Sequence, residues 1–174
     1  MTFSFPRICL VCILSVYMKI KPIKQPDASA CGPTVIKMAL GYFAMPASFR
    51  DIMRVSKYNK IEGMSNKDLI HAFHSFGLRA KEIHDASWKD LRSMNNKNSV
   101  VIVSWMLKGY IGHFSVVEKV TNGHIHLADP AEGKTIRMPR IAFMRLWFDY
   151  DDMWFPEKNT DIQLRWLVAV SKKP

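Results

Sequence analysis

Residues 112–130 read GHFSVVEKVTNGHIHLADP. The stretch carries β-branched and aromatic residues, Phe114, Val116, Val117 and Val120 before Asn122-Gly123 and Ile125 after it, and the Asn-Gly pair is a turn signal, so the stretch predicts two antiparallel strands. The same composition recurs in SVVIVSWML (99–107) and in DIQLRWLVAV (161–170), which read as further strands of one sheet. The shorter run RIAFMRLWF (140–148), placed directly after Pro139, reads as a helix interrupting them.

Upstream of residue 99 the apolar period is helical. Segment 32–43 is apolar at 35, 38, 39 and 42 and again at 36, 40 and 43, with Lys37 its only charge, which predicts a helix buried on most sides. ASFRDIMRVSK (47–57) predicts a second helix with Phe49, Ile52 and Met53 inward. In SNKDLIHAFHSFG (65–77), Ser65 and Asp68 have the form of a capping box, Leu69, Phe73 and Phe76 share a face, and Gly77 is a stop. SWKDLRSMNN (87–96) repeats the formula. Helices first and strands afterwards predict a segregated α+β domain, a helical half packed on an antiparallel sheet.

At 174 residues, 48% hydrophobic and 23% charged, the chain has the composition of one soluble globular domain. The net charge of +10 would attract any anionic partner, but Lys and Arg are scattered from Lys19 to Lys173 with no dense stripe and no nucleic-acid module, which points to a solvated basic surface. Three cysteines cannot form a disulfide framework, so a reducing compartment and a free Cys31 are expected. The first residues stand apart. RICLVCILSVY (7–17) is too short to span a bilayer and lacks a small-residue cleavage site. Either translation starts at Met18 and residues 1–17 lie outside the fold, with residues 18–174 forming the domain, or residues 8–17 act as a weak signal or anchor. Cys9 and Cys12 lack the second ligand pair of a zinc site and the flanking elements of a redox motif.

The chemistry is concentrated around QPDASACGPTVIKMAL, residues 25–40. A cysteine at the start of a helix meets unpaired backbone N–H groups and the positive end of the macrodipole, which favour a thiolate. Gly32 and Pro33 suit a first helical turn. Alone, Cys31 is better read as a small buried thiol. Acyl chemistry also requires a base, a group that orients it and donors for an oxyanion. His113 opens one strand of the hairpin, Asp129 closes the other, and Gln25 carries an amide that donates without ionising. The Cys31 N–H is the second candidate donor.

The hairpin register tests this set. With a plain two-residue turn, Asp129 would oppose Val116 and point away from His113. A three-residue turn Thr121-Asn122-Gly123, or an equivalent bulge, puts Asp129 opposite Ser115 and diagonal to His113, about 7–8 Å apart at Cα. The three-residue turn, or an equivalent bulge, is therefore expected. His124 and His126 read as surface strand residues, His71 and His74 as ordinary helix positions, and Trp88, Trp105, Trp147, Trp154 and Trp166 as core or rim packing.

The order Gln25, Cys31-Gly32-Pro33, His113-Phe114, Asp129-Pro130 resembles the bacteriocin-processing peptidases, papain-like cysteine peptidase domains of peptide-exporting ABC transporters that cut leader peptides after a double glycine. The likeness runs from about Ile20 to Tyr150 and includes GMSNKDLIHAFHSFGLRAKEI, similar to the family's helix, glycine and strand, and HIHLADPAEGKTIRMP, similar to its aspartate-proline segment. It implies a papain-like fold, Cys31 as nucleophile, His113 as base, Asp129 as orienting acid, Gln25 as oxyanion donor, and no metal or cofactor. It also implies a leader-bearing peptide substrate, no nucleic acid, and a place in the cytoplasm at the inner face of the membrane; a stand-alone peptidase and one acting beside a separately encoded ABC exporter are both open, and residues 8–17 keep export or anchoring as the alternative. Two departures stand out: Ala30 occupies a position usually held by aspartate, and the chain stops at Pro174 instead of continuing into membrane helices and an ATPase. The rival readings are a non-cleaving docking module and a thiol acyltransferase with the same triad.

Overall fold

The computed structural model describes residues 19–150 and 156–173. The readings made on residues 1–17 and on Trp154 lie outside the described residues. Among the described residues, five α-helices and eight strands follow in order, α1 (Cys31–Tyr42), α2 (Phe49–Val55), α3 (Asn66–Ser75), β1 (Leu78–Ile83), α4 (Trp88–Met94), β2 (Ser99–Leu107), β3 (Ile111–Val120), β4 (His124–Asp129), β5 (Lys134–Pro139), α5 (Arg140–Leu146), β6 (Phe148–Tyr150), β7 (Ile162–Leu164) and β8 (Leu167–Lys172), with one 3-10 turn at Asn159–Asp161 before β7.

Three helices begin as their sequences dictate. Ser48, Ser65 and Ser87 each accept the backbone N–H three residues on, and Asp90 returns the bond by accepting the Ser87 N–H at 2.7 Å. A cap of this kind contributes about 1 kcal/mol.

Six antiparallel strands pair in the order β1-β8-β2-β3-β4-β5. Because side chains alternate across a strand, the sheet has two apolar faces. Val100, Ile102, Phe114, Val116, Val168 and Val170 pack against α1, α2 and α3, which form the expected helical half. Val101, Val103, Trp105, Val117, Ile125, Leu127 and Leu167 face the other way and are covered by α4 and α5. Burial of Trp105, Trp147 and Trp166 is complete or nearly so, and each indole N–H has an acceptor: Ser115 Oγ at 3.0 Å, the Trp166 carbonyl at 2.9 Å and Glu82 Oε1 at 2.5 Å, respectively.

Two parts of the sheet differ from the sequence reading. DIQLRWLVAV is two strands, because Arg165 adopts a left-handed conformation (φ 49°) and donates its N–H to the Trp147 carbonyl at 3.0 Å. This turn sends β7 to pair with β6 and returns β8 to the main sheet. KTIRMP forms the edge strand β5, whose apolar content is limited to Ile136, Met138 and Pro139.

The β3–β4 hairpin reaches the required register by the second of the two expected routes, a bulge and not the three-residue turn. The Thr121 N–H donates to the His124 carbonyl at 2.8 Å, and Val120 pairs with Ile125 and Lys119 with His126, so the loop is the two-residue Asn122-Gly123 turn. A bulge between Val117 and Lys119 then shifts the ladder by one, to Val117 opposite Leu127 and Val116 opposite Ala128. Continuing that ladder sets Asp129 opposite Ser115. Glu118 is the extra residue. Its deletion is expected to yield a regular two-residue hairpin in which Val117 still pairs with Leu127, leaving Asp129 on the His113 face and a bell of pH-dependent activity unchanged in position. If the deletion variant folds but is inactive, the bend of the bulge and not its register sets Asp129.

Candidate active site

The N-terminal segment reaches the end of β4 through backbone contacts. The Gln25 N–H donates to the Pro130 carbonyl at 2.9 Å, and Lys24 Nζ donates to the Ala131 carbonyl. Gly133 permits this approach: its φ is +66°, and a Cβ there would lie 2.8 Å from the Lys24 Cβ. β4 stops at Asp129, two positions short of the residue that would face His113, so the flank of β3 beside His113 lies open to the segment leading into α1.

Cys31 is the first residue of α1 and is half-buried. The Ala30 carbonyl accepts the Thr34 N–H at 3.1 Å and the Thr34 hydroxyl at 2.7 Å. Pro33 has no N–H, so Cys31 and Gly32 carry the N–H groups at the helix tip. No acidic residue occupies the first turn to neutralise them.

On the sheet, His113 Nε2 lies 2.9 Å from Asp129 Oδ2, with the two side chains 3% and 0% exposed. Asp129 is held from three sides. The Ser115 hydroxyl donates to Oδ2 at 2.9 Å, the Glu132 N–H donates to Oδ1 at 2.9 Å, and the Gly133 N–H donates to the Asp129 carbonyl at 2.8 Å. Trp105, opposite His113 in the β2–β3 ladder, packs edge-on against the imidazole with ring centroids 5.8 Å apart while its indole donates to Ser115 Oγ. Ser115 and Trp105 were not singled out as site residues from sequence; the available signal was Ser115 two positions after His113, on the same strand face.

Burial opposes protonation of His113, but hydrogen bonds to Asp129 and to the Cys31 side chain, with the charges of both, outweigh it and push the imidazole from 6.5 up to about 9. Burial likewise acts to raise Asp129, yet the hydrogen bond and charge of His113, together with the Glu132 N–H and Ser115 hydroxyl, hold it below the ordinary 3.8. The pair is an imidazolium and a carboxylate at neutral pH, with the Cys31 thiol within interacting distance of the ring. Nε2 is committed to Asp129, which leaves Nδ1 to face the sulfur.

Cys31, His113 and Asp129 thus meet at one place. Gln25 lies beside them in a different posture from that of an exposed donor: Nε2 donates to the Asp27 and Ala28 carbonyls at 2.7 and 2.9 Å, and Oε1 is buried without a partner. His124 sits against Arg137, and His71 and His74 are exposed on α3. Among the described residues no group of three His, Cys, Asp or Glu side chains is arranged to hold a metal ion.

The raised imidazole has a consequence for stability with a definite sign. A folded-state value of about 9 against 6.5 unfolded stabilises the native state fully below pH 6.5, and that contribution fades as pH rises through 9. Its size is on the order of 3 kcal/mol. Urea melts at pH 6 and pH 9.5 are expected to differ by that amount in wild type and much less in His113→Gln. A histidine NMR titration should place the His113 midpoint near 9, falling in Cys31→Ala.

The fold has close relatives among solved structures. The peptidase domain of Streptococcus ComA, a bi-functional ABC transporter involved in quorum sensing, superimposes with a TM-score of 0.69 at 19% identity over 88% of this chain and 99% of that one. A double glycine motif protease from an AMS/PCAT transporter, solved with the leader peptide, gives 0.66 at 19% identity over 89% and 94%. The peptidase domain of Streptococcus mutans ComA gives 0.60 at 19% identity over 87% and 98%. At these identities the likeness is one of fold, and no curated protein matches the chain. The model of the peptidase C39 family, however, matches residues 19–154. With a mixed helix and antiparallel-sheet architecture and a match over most of its length, the chain belongs to the peptidase C39 family.

Proposed function

We propose that this protein is a cysteine peptidase that removes leader peptides of the double-glycine type from peptides bound for export. The observation that carries the reading is the buried His113–Asp129 pair beside the Cys31 thiol at the tip of α1. Family membership supports the peptidase class, and the leader peptide bound to the AMS/PCAT protease supports the substrate class.

In this mechanism the Cys31 proton already rests on His113 Nδ1, so the sulfur reacts as the thiolate of a thiolate–imidazolium pair and attacks the peptide carbonyl carbon. The Cys31 N–H stabilises the oxyanion without rearrangement. Gln25 joins it by turning its amide away from the Asp27 and Ala28 carbonyls. His113 then protonates the leaving amine, and water, deprotonated by the same imidazole, hydrolyses the thioester. Asp129 keeps the ring oriented and balances its charge, while Ser115 and Trp105 keep Asp129 in place. The partner in this reading is an ABC exporter, with processing on the cytoplasmic side. Among the described residues no helix is long and apolar enough to cross a membrane.

The test is incubation of wild type and Cys31→Ala with a double-glycine leader peptide, read by mass spectrometry. Wild type is expected to release the leader by cutting after the second glycine, and Cys31→Ala to release none. An added amine acceptor that captures the acyl group in place of water would mark an acyltransferase instead; intact binding with no product from wild type would mark a docking module. Gln25→Ala is expected to lower kcat by roughly 10²–10³ with little change in KM, the loss typical of one oxyanion donor.

A further inference from the structure

The loop 25–30 that delivers Cys31 is bound along its outer side by the segment between α2 and α3. Tyr58 donates its hydroxyl to Asp27 Oδ1 at 2.5 Å. The same carboxylate oxygen accepts the Ser29 N–H at 3.1 Å. The Ser29 hydroxyl donates to the Lys60 carbonyl at 2.7 Å and lies 2.9 Å from the Tyr58 oxygen. Further along, a Cβ at Gly63 (φ +83°) would come within 3.3 Å of the Ser29 carbonyl, and the Met64 side chain lies within 3.0 Å of a Cβ placed at Gly32. The strap is itself closed: Asn59 and Gly63 exchange backbone hydrogen bonds at 2.9 and 2.8 Å, and Asn59 Oδ1 accepts the Ile61 N–H at 2.8 Å. Residues 58–64 therefore touch the nucleophile loop at Asp27, at Ser29 and at Gly32, on both sides of Cys31 in sequence.

We infer that Tyr58 is a positioning residue for Cys31, acting through its hydrogen bond to the Asp27 carboxylate to hold the 25–31 loop, and with it the sulfur, in line with His113. The role rests on the peptidase reading above. Two features single out Tyr58 within the strap. First, past the Gln25 N–H bond to the Pro130 carbonyl, the loop is tied from outside through Asp27 and Ser29, both to the strap, while α1 begins without a side-chain cap and the Gln25 side-chain amide bonds to carbonyls of its own loop. Second, the hydroxyl is near enough to the sulfur that the charge of Cys31 acts on it; burial and the Asp27 hydrogen bond raise the Tyr58 phenol above 10, and the Tyr58 bond leads the effects that lower Asp27. Tyr58 thus remains a neutral donor at any working pH and Asp27 an acceptor.

The experiment follows two readouts on the full chain: kcat and KM on a double-glycine leader peptide, and the rate of Cys31 carboxamidomethylation by iodoacetamide across pH, with peptide mapping separating Cys31 from Cys9 and Cys12. Tyr58→Phe, which loses one hydrogen bond to a charged group, is expected to lower kcat and slow alkylation about tenfold, and Asp27→Ala, which loses the Ser29 bonds as well, by about tenfold or more, each with KM within about twofold of wild type. The double variant should be no worse than Asp27→Ala alone. Asp27→Asn keeps the acceptor oxygen and should stay within about twofold of wild type. Wild-type alkylation and kcat in Tyr58→Phe would overturn the assignment, as would an Asp27→Asn variant as impaired as Asp27→Ala, or a lowered melting temperature in Tyr58→Phe with Cys31 reactivity unchanged. A wild type that cuts no leader peptide would remove the peptidase reading, while the alkylation rates still decide whether Tyr58 positions the thiol.

Discussion

A carboxylate with no exposed surface and an imidazole with almost none are stable together only if each satisfies the other, and the 2.9 Å contact between Asp129 and His113 does this. Either group alone would be a buried polar group without its strongest partner, a situation that costs several kcal/mol. The rest of the site can be understood as what is needed to keep that contact. Two strands must be adjacent and antiparallel, their ladder must bring positions 113 and 129 to one face, and the turn after Asp129 must supply N–H groups to its remaining oxygens. The bulge at Glu118 meets the second condition, and the Asp129–Gly133 turn meets the third. The same turn, with a glycine where any Cβ would collide with Lys24, lets the N-terminal segment lie close enough for Cys31 to reach the ring.

Much of this was legible from residue types. The serine caps of α2, α3 and α4 announce themselves by an acidic residue three positions on, and the apolar wrap of α1 follows from its having only Lys37 as a charge. The hairpin was legible too, including the need for one extra residue in the turn or in a bulge; its position in β3 was not, because Val117-Glu118-Lys119 carries no glycine or asparagine to mark a bulge. β5 escaped because an edge strand with one covered face needs few apolar residues. The break at Arg165 escaped because arginine rarely takes a positive φ; the tertiary bonds of Asp85, Ala86 and Trp147 around it hold it there. The posture of Gln25 is set by two carbonyls of its own loop, and nothing in the order of residues foretells that.

The start of α1 shows how one local departure is accommodated. Ala30, fully buried, has no side chain with which to cap the helix, so its carbonyl takes both donors of Thr34, and polar bracing of the loop falls to residues one and three positions earlier. Ser29 and Asp27 turn outward to the strap. Bracing from outside leaves the inner side of the loop, where the sulfur and the helix-tip N–H groups lie, free of competing carboxylates.

The near-complete enclosure of the imidazole also constrains traffic. A solvent molecule cannot approach the base from the sheet side, where the Trp105 ring, Asp129 and neighbouring strands seal it. In the proposed reaction, the departing amine and the incoming water therefore share one doorway above the sulfur, and they must use it in turn. Occupancy of that doorway by a lingering product fragment would stall the acyl-enzyme, which makes departure of the first fragment a built-in checkpoint for the second half of the cycle.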